Sequence, residues 1–424
     1  MQSTKSLSFR AGQLALILIL FLVGLSIQTR GLKREQLSVE TKTLPLEEKS
    51  LERVSTLVTK EIEHLARDDP PFVPPDWIRE YIAFHKSRIK ENQLINGTRA
   101  LQYHCLHGSH SGYKGRCGGL GDRLKGILTG FLSSVSDNRV FLIDWDDVTP
   151  LSDYLAPAHI NWLAQPTFDN TKKRDWVWLN KDKRHPMVIN PCELRSNASM
   201  VMYRCMYFRS QRRMNTSCVQ SFFKDGIVTD TNMLNNIFWT LFQWTDRTNE
   251  AARRLLGPVN PKYFVGVHIR TGGNSTSFVD QTRHSTLQDI EAFSSCATLV
   301  QKALEKKCGK APAAYVMSDN HEAKKLAKKL MVKDGVDVHA SDVEVYHIDR
   351  SNVSLIEDLT SANDAVWGEF KILMDATCLV VGVSGFSHLG QHMSRHQTQP
   401  RCAVYFNKCT EEKVRMTVEK NARC

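Results

Sequence analysis

The sequence has no C-x-x-C pair among its eleven cysteines, which removes zinc ribbons and redox dithiols from consideration. It has no basic stripe interleaved with aromatics, so no nucleic-acid partner is expected despite a net charge of +11. The pairs Lys324-Lys325 and Lys328-Lys329 lie on a helical pattern whose other face is Ala323, Leu326, Ala327 and Leu330, the pattern of a solvated surface. No glycine-rich P-loop follows a strand near the start of the globular sequence, which argues against a sulfotransferase-type phosphate site. Gly382-Val383-Ser384-Gly385-Phe386 lacks the last glycine of a G-x-S-x-G nucleophile elbow, and His388 directly adjoins Ser387, which does not build a triad. The longest apolar run, residues 14–27, is not followed by a small-x-small cleavage site.

That run has Lys5 and Arg10 before it and Arg30, Lys33 and Arg34 after it. Counted over residues 11–28 it reaches the short end of the span of about 20 residues that a bilayer needs. The basic residues that follow at once favour a signal anchor over a cleaved signal peptide, and a short span suits a thin secretory membrane such as the Golgi. Residues 1–10 are then a cytoplasmic tail and residues 29–75 a stem in a single-pass type II arrangement. Leu51, Val54, Val58, Ile62 and Leu65 make the stem helix amphipathic, able to pair with a second copy of the chain as a homodimer or with the catalytic body. Sequons at Asn96, Asn197, Asn215, Asn274 and Asn352 and scattered cysteines agree with an oxidising, glycosylating compartment. The odd cysteine count leaves one unpaired, expected at Cys378 or Cys424, while Cys192, Cys205 and Cys218 are expected to bridge locally.

A chain of 424 residues exceeds the 250–300 or so at which one core stops growing. The break Gly257-Pro258 divides residues 76–257, an N-terminal domain shaping an acceptor region, from residues 258–424. After Gly118-Gly119-Leu120-Gly121-Asp122-Arg123, a turn capped by Asp122, a one-faced helix carries Leu124, Ile127, Leu128, Phe131, Leu132 and Val135. A strand Val140–Ile143 then leads to Asp144-Trp145-Asp146. Residues 232–256 read as one helix. Beyond them strands and helices alternate: Tyr263–Ile269, Leu287–Leu304, Ala314–Met317, Ala323–Leu330, Val343–Ile348, Ala365–Thr377 and Leu379–Val383. Such alternation predicts a parallel sheet with crossover helices.

The apolar run Phe264-Val265-Gly266-Val267-His268-Ile269-Arg270 ends in Thr271-Gly272-Gly273. Side chains alternate along a strand, so His268 and Arg270 share one side at the end where open α/β sheets bind ligands. Arginine's planar fork suits phosphate there. Ser318-Asp319-Asn320 and Ser384-Gly385-Phe386-Ser387-His388 end two further strands on the same edge.

These three stretches, Gly119–Arg123 with Asp144-Trp145, Gly266–Arg270 and Ser384–Ser387, resemble the three peptide motifs of the α1,2-, α1,6- and protein O-fucosyltransferase superfamily. The α1,6 branch and the rhizobial chitooligosaccharide fucosyltransferases are the nearest likeness. The resemblance spans roughly residues 100–410. It implies a GT-B fold of two Rossmann-like domains facing a cleft, GDP-fucose as co-substrate, a glycan or glycoprotein acceptor, inversion, and no metal or other cofactor. On that resemblance Arg270 stabilises the leaving GDP and His268 holds the donor phosphate or ribose. Ser318, Asp319, Glu369, Ser384 and Ser387 contact the nucleoside or phosphates, and Gly119, Gly121 and Arg123 approach from the other domain. Thr271 stands where α1,6 enzymes carry a second arginine. Asp280, with His284 beside it, is the candidate general base. Two rival readings remain: a metal-dependent glycosyltransferase using the D-x-D of Asp144 and Asp146 with another nucleotide sugar, and a non-catalytic lumenal glycan- or nucleotide-binding protein.

Overall fold

The computed structural model describes residues 72–105, 119–145, 149–165, 174–178, 200–204, 230–274, 278–279, 285–343, 358–394 and 401–424. The expected tail, anchor and stem, Asp146, Asp280, His284, Asn197, Asn215, Asn352 and the cysteines at 117, 192, 205 and 218 lie outside these residues. Among the described residues no helix is long and apolar enough to cross a membrane.

Helix α1 (Asp76–Ser87) opens the body. It buries Ile78, Tyr81 and Ile82, and the Tyr81 hydroxyl donates to the Arg139 carbonyl at 2.7 Å. Strand β1 (Ala100–Cys105) follows, then helix α2 (Leu120–Ser136), β2 (Val140–Trp145), β3 (Arg174–Trp178) and β4 (Met200–Arg204). The strands pair in the order β2-β1-β4-β3, all parallel. The glycine-rich turn is shorter than expected. Gly119 is the N-cap and the helix starts at Leu120, so Gly121, Asp122 and Arg123 belong to its first turn.

The expected helix over 232–256 is two helices. Helix α3 (Asp230–Leu241) ends where Phe242–Trp244 turns extended and pairs antiparallel with Leu155–Pro157. Helix α4 (Asp246–Leu256) then restarts behind Thr245, whose side chain accepts the Thr248 N–H. A local cap and a tertiary strand partner override a continuous apolar period.

The second half runs β5 (Phe264–Ile269), α5 (Leu287–Cys308), β6 (Ala313–Ser318), α6 (His321–Lys333), β7 (Val338–Ala340), α7 (Leu359–Asp375), β8 (Cys378–Val381), α8 (Gly385–His392), β9 (Ala403–Tyr405) and α9 (Glu411–Asn421). Its strands are all parallel, in the order β7-β6-β5-β8-β9. The chain winds one way from β5 through β6 to β7, and the other way from β5 through β8 to β9. That is the doubly wound arrangement, with its switch point between β5 and β8. Caps mark the crossovers: Thr286 and Asp289 form a capping box ahead of α5, and Gly309 closes it at φ 70°. The strand expected at Val343–Ile348 is not the third of this sheet; Val338–Ala340 takes that place, and residues 344–348 are outside the description.

One apolar cluster joins the halves. Leu124, Phe131 and Trp145 of the first half share it with Trp367 and Phe370 of α7 and Leu389 of α8. Trp367 stacks on Tyr154 with ring centroids 5.3 Å apart.

The expectation for the unpaired cysteine is overturned. Cys378 is bonded to Cys402 and Cys424 to Cys308, with a third bridge between Cys296 and Cys409. Cys378 looked like a buried strand residue and is one, but β9 runs alongside and brings Cys402 beside it.

Candidate functional site

The site lies at the switch point. Strand β5 carries His268 and, one residue past its end, Arg270. The Arg270 guanidinium pairs with Asp319, which follows β6. Asp319 also accepts the Thr271 N–H at 2.8 Å, the Thr271 hydroxyl at 3.1 Å and the Gly272 N–H at 2.9 Å. Burial alone would raise the Asp319 pKa, but Arg270 and the two N–H groups hold it below its usual value. Asp319 therefore fixes both the arginine and the loop that leaves β5. The resemblance gave it a nucleoside or phosphate contact; in the structure its oxygens serve Arg270 and the loop.

His268 is buried and its ring stacks on Phe386 at 5.2 Å. Burial pulls its pKa down to about 4, with Asp319 opposing and Arg270 adding to the shift, so the ring is neutral at pH 7. Its Nδ1 is buried without a hydrogen-bond partner.

Across the switch point Ser384 caps α8 by accepting the Phe386 N–H. Ser387 is buried, its hydroxyl 3.3 Å from the Gly382 carbonyl. The first turns of α2 and α8 touch here: a Cβ added at Gly121 would lie 2.7 Å from the Gly385 carbonyl carbon and 2.9 Å from the Phe386 nitrogen. Two helix N-termini, each a positive dipole end, thus meet beside His268. Gly119 caps the first of them. Arg123 is fully buried, with its guanidinium over Trp145 of the same half, 5.0 Å from the ring centroid.

Glu369 of α7 is 3% exposed, and its Oε1 has no hydrogen-bond partner. Burial pushes its pKa up to about 7, with Lys324 pulling it down and Asp319 pushing it up. Ser318 is buried at the end of β6, its hydroxyl accepting the Asn320 N–H at 3.2 Å. Of the sequons, Asn96 is exposed and Asn274 lies in a two-residue strand, Gly273–Asn274.

The structure brings His268, Arg270, Asp319, Ser384, Ser387 and Gly121 to one edge. Asp146 of the D-x-D lies outside the described residues, and the Asp144 carboxylate is paired with His104, bonded to Nδ1 at 2.8 Å. Sequence reasoning missed this pair and the ring of Phe386 under His268. The first needs strand register, which no local pattern prints; the second stood in the third motif and had only its serines and glycine weighed.

No protein-family model and no curated protein sequence matches the chain. Solved structures do. FUT1 of Arabidopsis thaliana, in complex with GDP, aligns at TM-score 0.51 and 12% identity over 76% of this chain and 78% of that one. The fucosyltransferase NodZ from Bradyrhizobium gives TM-score 0.37 and 10% identity over 69% and 92%. POFUT1 in complex with GDP-fucose gives 0.39 and 12% over 74% and 98%. At these identities the first alignment speaks for the fold and the other two carry no weight beyond their names. The described chain has an α/β fold with two parallel sheets, similar to that of plant FUT1.

Proposed function

We propose that the chain is an inverting glycosyltransferase that transfers fucose from GDP-fucose to a glycan or glycoprotein hydroxyl in the secretory pathway. The observation that carries the reading is the convergence of Arg270 and His268 with the first turns of α2 and α8 at the switch point of a doubly wound sheet. Arginine beside two positive helix ends is a site for a diphosphate.

In the reaction the acceptor oxygen attacks the anomeric carbon, and the bond to the β-phosphate breaks with its electron pair leaving on GDP. Negative charge grows on that phosphate, and Arg270 stabilises it. Asp319 holds the guanidinium in place beforehand, so little reorganisation is needed as charge develops. Neutral His268 offers its unpartnered Nδ1 to a donor phosphate or ribose without adding charge. The unpartnered Oε1 of Glu369 suits the N–H donors of a purine edge. Three disulfides between described residues support an oxidising compartment, in keeping with a Golgi type II protein anchored through residues 11–28.

The test is calorimetric titration of residues 76–424, made in a secretory host, with GDP-fucose, GDP-mannose, UDP-galactose and UDP-N-acetylglucosamine, with and without EDTA. Binding of GDP-fucose that survives EDTA and falls at least about tenfold in Arg270→Ala, with turnover down about 10²–10³-fold, is the expected result. Binding of a UDP-sugar only, or binding that needs Mn²⁺, overturns the reading. Donor binding without transfer to any acceptor would make the protein a binding module.

A further inference from the structure

Arg270 is ion-paired with an ionised Asp319, so the two together bring no net charge to the switch point. The diphosphate of a nucleotide sugar carries a negative charge on each phosphate. The positive ends of α2 and α8 offset about half a charge each, and neutral His268 adds none. About one positive charge remains to be supplied. Lys125 stands where it can supply it. It follows Gly121 by four residues on α2, one turn along the same face of the helix, and Gly121 is the residue whose backbone meets Gly385 and Phe386. The Lys125 Nζ reaches that meeting point: it lies 3.3 Å from where a Cβ on Gly385 would be, with Asp122 Oδ1 3.7 Å from the same point. Gly385 is the first residue of α8. Phe386, the next, stacks on His268, whose Nδ1 is buried without a hydrogen-bond partner.

The surroundings leave the charge of this amine under-compensated. Lys125 is half-buried; burial lowers its pKa, and Asp122 opposes the shift without cancelling it. His388 and His392 stand nearby on α8, their ring centroids 4.4 Å apart. Burial takes both down to about 4, with Lys125 adding to each shift and His388 to that of His392, so neither imidazole is charged at pH 7. A lysine that only packed its stem would carry its amine out to water. Here the amine is held instead against the first turn of α8, where an anion would repay its desolvation.

We propose that Lys125 is a second cationic ligand of the donor diphosphate, reaching it from the first half of the molecule while Arg270 reaches it from the second; the proposal rests on the glycosyl-transfer reading above. An ammonium is a compact point charge with three rotatable donors. It suits a phosphate oxygen lying over the first turn of α8, and the missing side chain at Gly385 leaves that approach open. The amine and the guanidinium then grip the diphosphate from opposite sides of the junction between α2 and α8. Selection of a diphosphate over a monophosphate or a bare nucleoside follows from the second cation.

The experiment compares the full chain as wild type, Lys125→Met, Lys125→Gln and Lys125→Arg. Guanosine, GMP, GDP and GDP-fucose are titrated into each by calorimetry, and thermal unfolding is followed without ligand. In the two neutral variants GDP and GDP-fucose are expected to bind about 10–100-fold more weakly, the loss of one charge-assisted hydrogen bond. GMP loses less, and guanosine stays within about threefold of wild type. Lys125→Arg recovers part of the loss, because the charge is kept and the geometry is not. The unfolding temperature of the ligand-free neutral variants matches or exceeds that of wild type, since they no longer desolvate an amine. GDP affinity within about threefold of wild type in a folded neutral variant overturns the proposal. So does an equal loss for guanosine and GDP, which marks Lys125 as shaping the junction, and so does failure of both neutral variants to fold, which marks its amine as a structural partner of Asp122. A wild type that binds neither GDP nor GDP-fucose overturns the reading beneath it instead.

Discussion

At the residue scale, two buried carboxylates respond to pH with opposite signs. Asp319 has its pKa depressed by Arg270 and the loop N–H groups against the effect of burial. Its contribution to stability is present above the ordinary carboxylate range and lost as pH falls through the folded value. Asp319→Asn leaves the guanidinium of Arg270, 13% exposed, without its counter-charge. We expect a loss of about 3 kcal/mol in urea unfolding at pH 7, with the gap to wild type closing in acid. Glu369 runs the other way. Its pKa is raised to about 7, so the favourable contribution is present below its ordinary value near 4.5 and is lost as pH rises through 7. Glu369→Gln should therefore gain up to about 3 kcal/mol over wild type above pH 8 and little at pH 4, while weakening GDP-fucose binding if Oε1 serves the nucleoside. Equal unfolding midpoints for Glu369→Gln and wild type at pH 8 would remove this account. His268 and Arg270 were legible because an apolar run stops at them. Their surroundings were not: Asp319 reaches Arg270 through the pairing of β5 with β6, 49 positions apart, and nothing local in α7 shows that Glu369 is enclosed.

At the element scale, the site exists because two helices start at the same place. The Gly121 backbone passes close to Gly385 and Phe386 with no side chain between them. In Gly121→Ala the added methyl would meet backbone atoms rather than a flexible side chain, so α2 or α8 must shift. We expect a loss of about 1–3 kcal/mol in stability together with weaker donor binding, read by thermal unfolding and calorimetry on the same samples. Gly309→Ala is the control: nothing lies within 4 Å of its added Cβ and φ is +70°, so only the local backbone cost of about 1 kcal/mol applies, with donor binding unchanged. Alternating periodicity revealed the strands and crossover helices of the second half, whereas the order β7-β6-β5-β8-β9 did not follow from it. Short strands escaped notice for a physical reason. Val338–Ala340 and Ala403–Tyr405 hold three residues each, too few to print a period, and their pairing comes from neighbours already in place. Between α3 and α4 the apolar spacing runs straight through Phe242–Trp244; the break is made by Thr245 as a cap and by a partner strand far back in the chain.

At the scale of the whole molecule, the C-terminal segment is fastened to the nucleotide half by covalent and polar ties. Cys296–Cys409 and Cys308–Cys424 both join α5 to residues around α9. Lys307 donates to the carbonyls of Val418, Glu419 and Ala422 at 3.1, 2.9 and 2.7 Å, satisfying the end of α9 where backbone acceptors lack helical partners. Cys378–Cys402 instead links β8 to the start of β9 across a separation of 24 residues. Chain-entropy reasoning makes the long closures worth more. The 113-residue separation of Cys296 and Cys409 corresponds to about 5 kcal/mol, and the 24-residue one to about 3.5 kcal/mol. Replacing each pair by alanine should therefore lower stability in that order in unfolding titrations under oxidising conditions, and excess reductant should bring wild type to or below the less stable of the two variants. Cys378 and Cys402 are both completely buried, whereas in the longer bridge only Cys296 is, with Cys409 partly buried, so loss of the shorter bridge carries the larger packing cost. A reversed ranking would mean that core packing around β8, and not restriction of the unfolded chain, is what those two sulfurs mainly contribute.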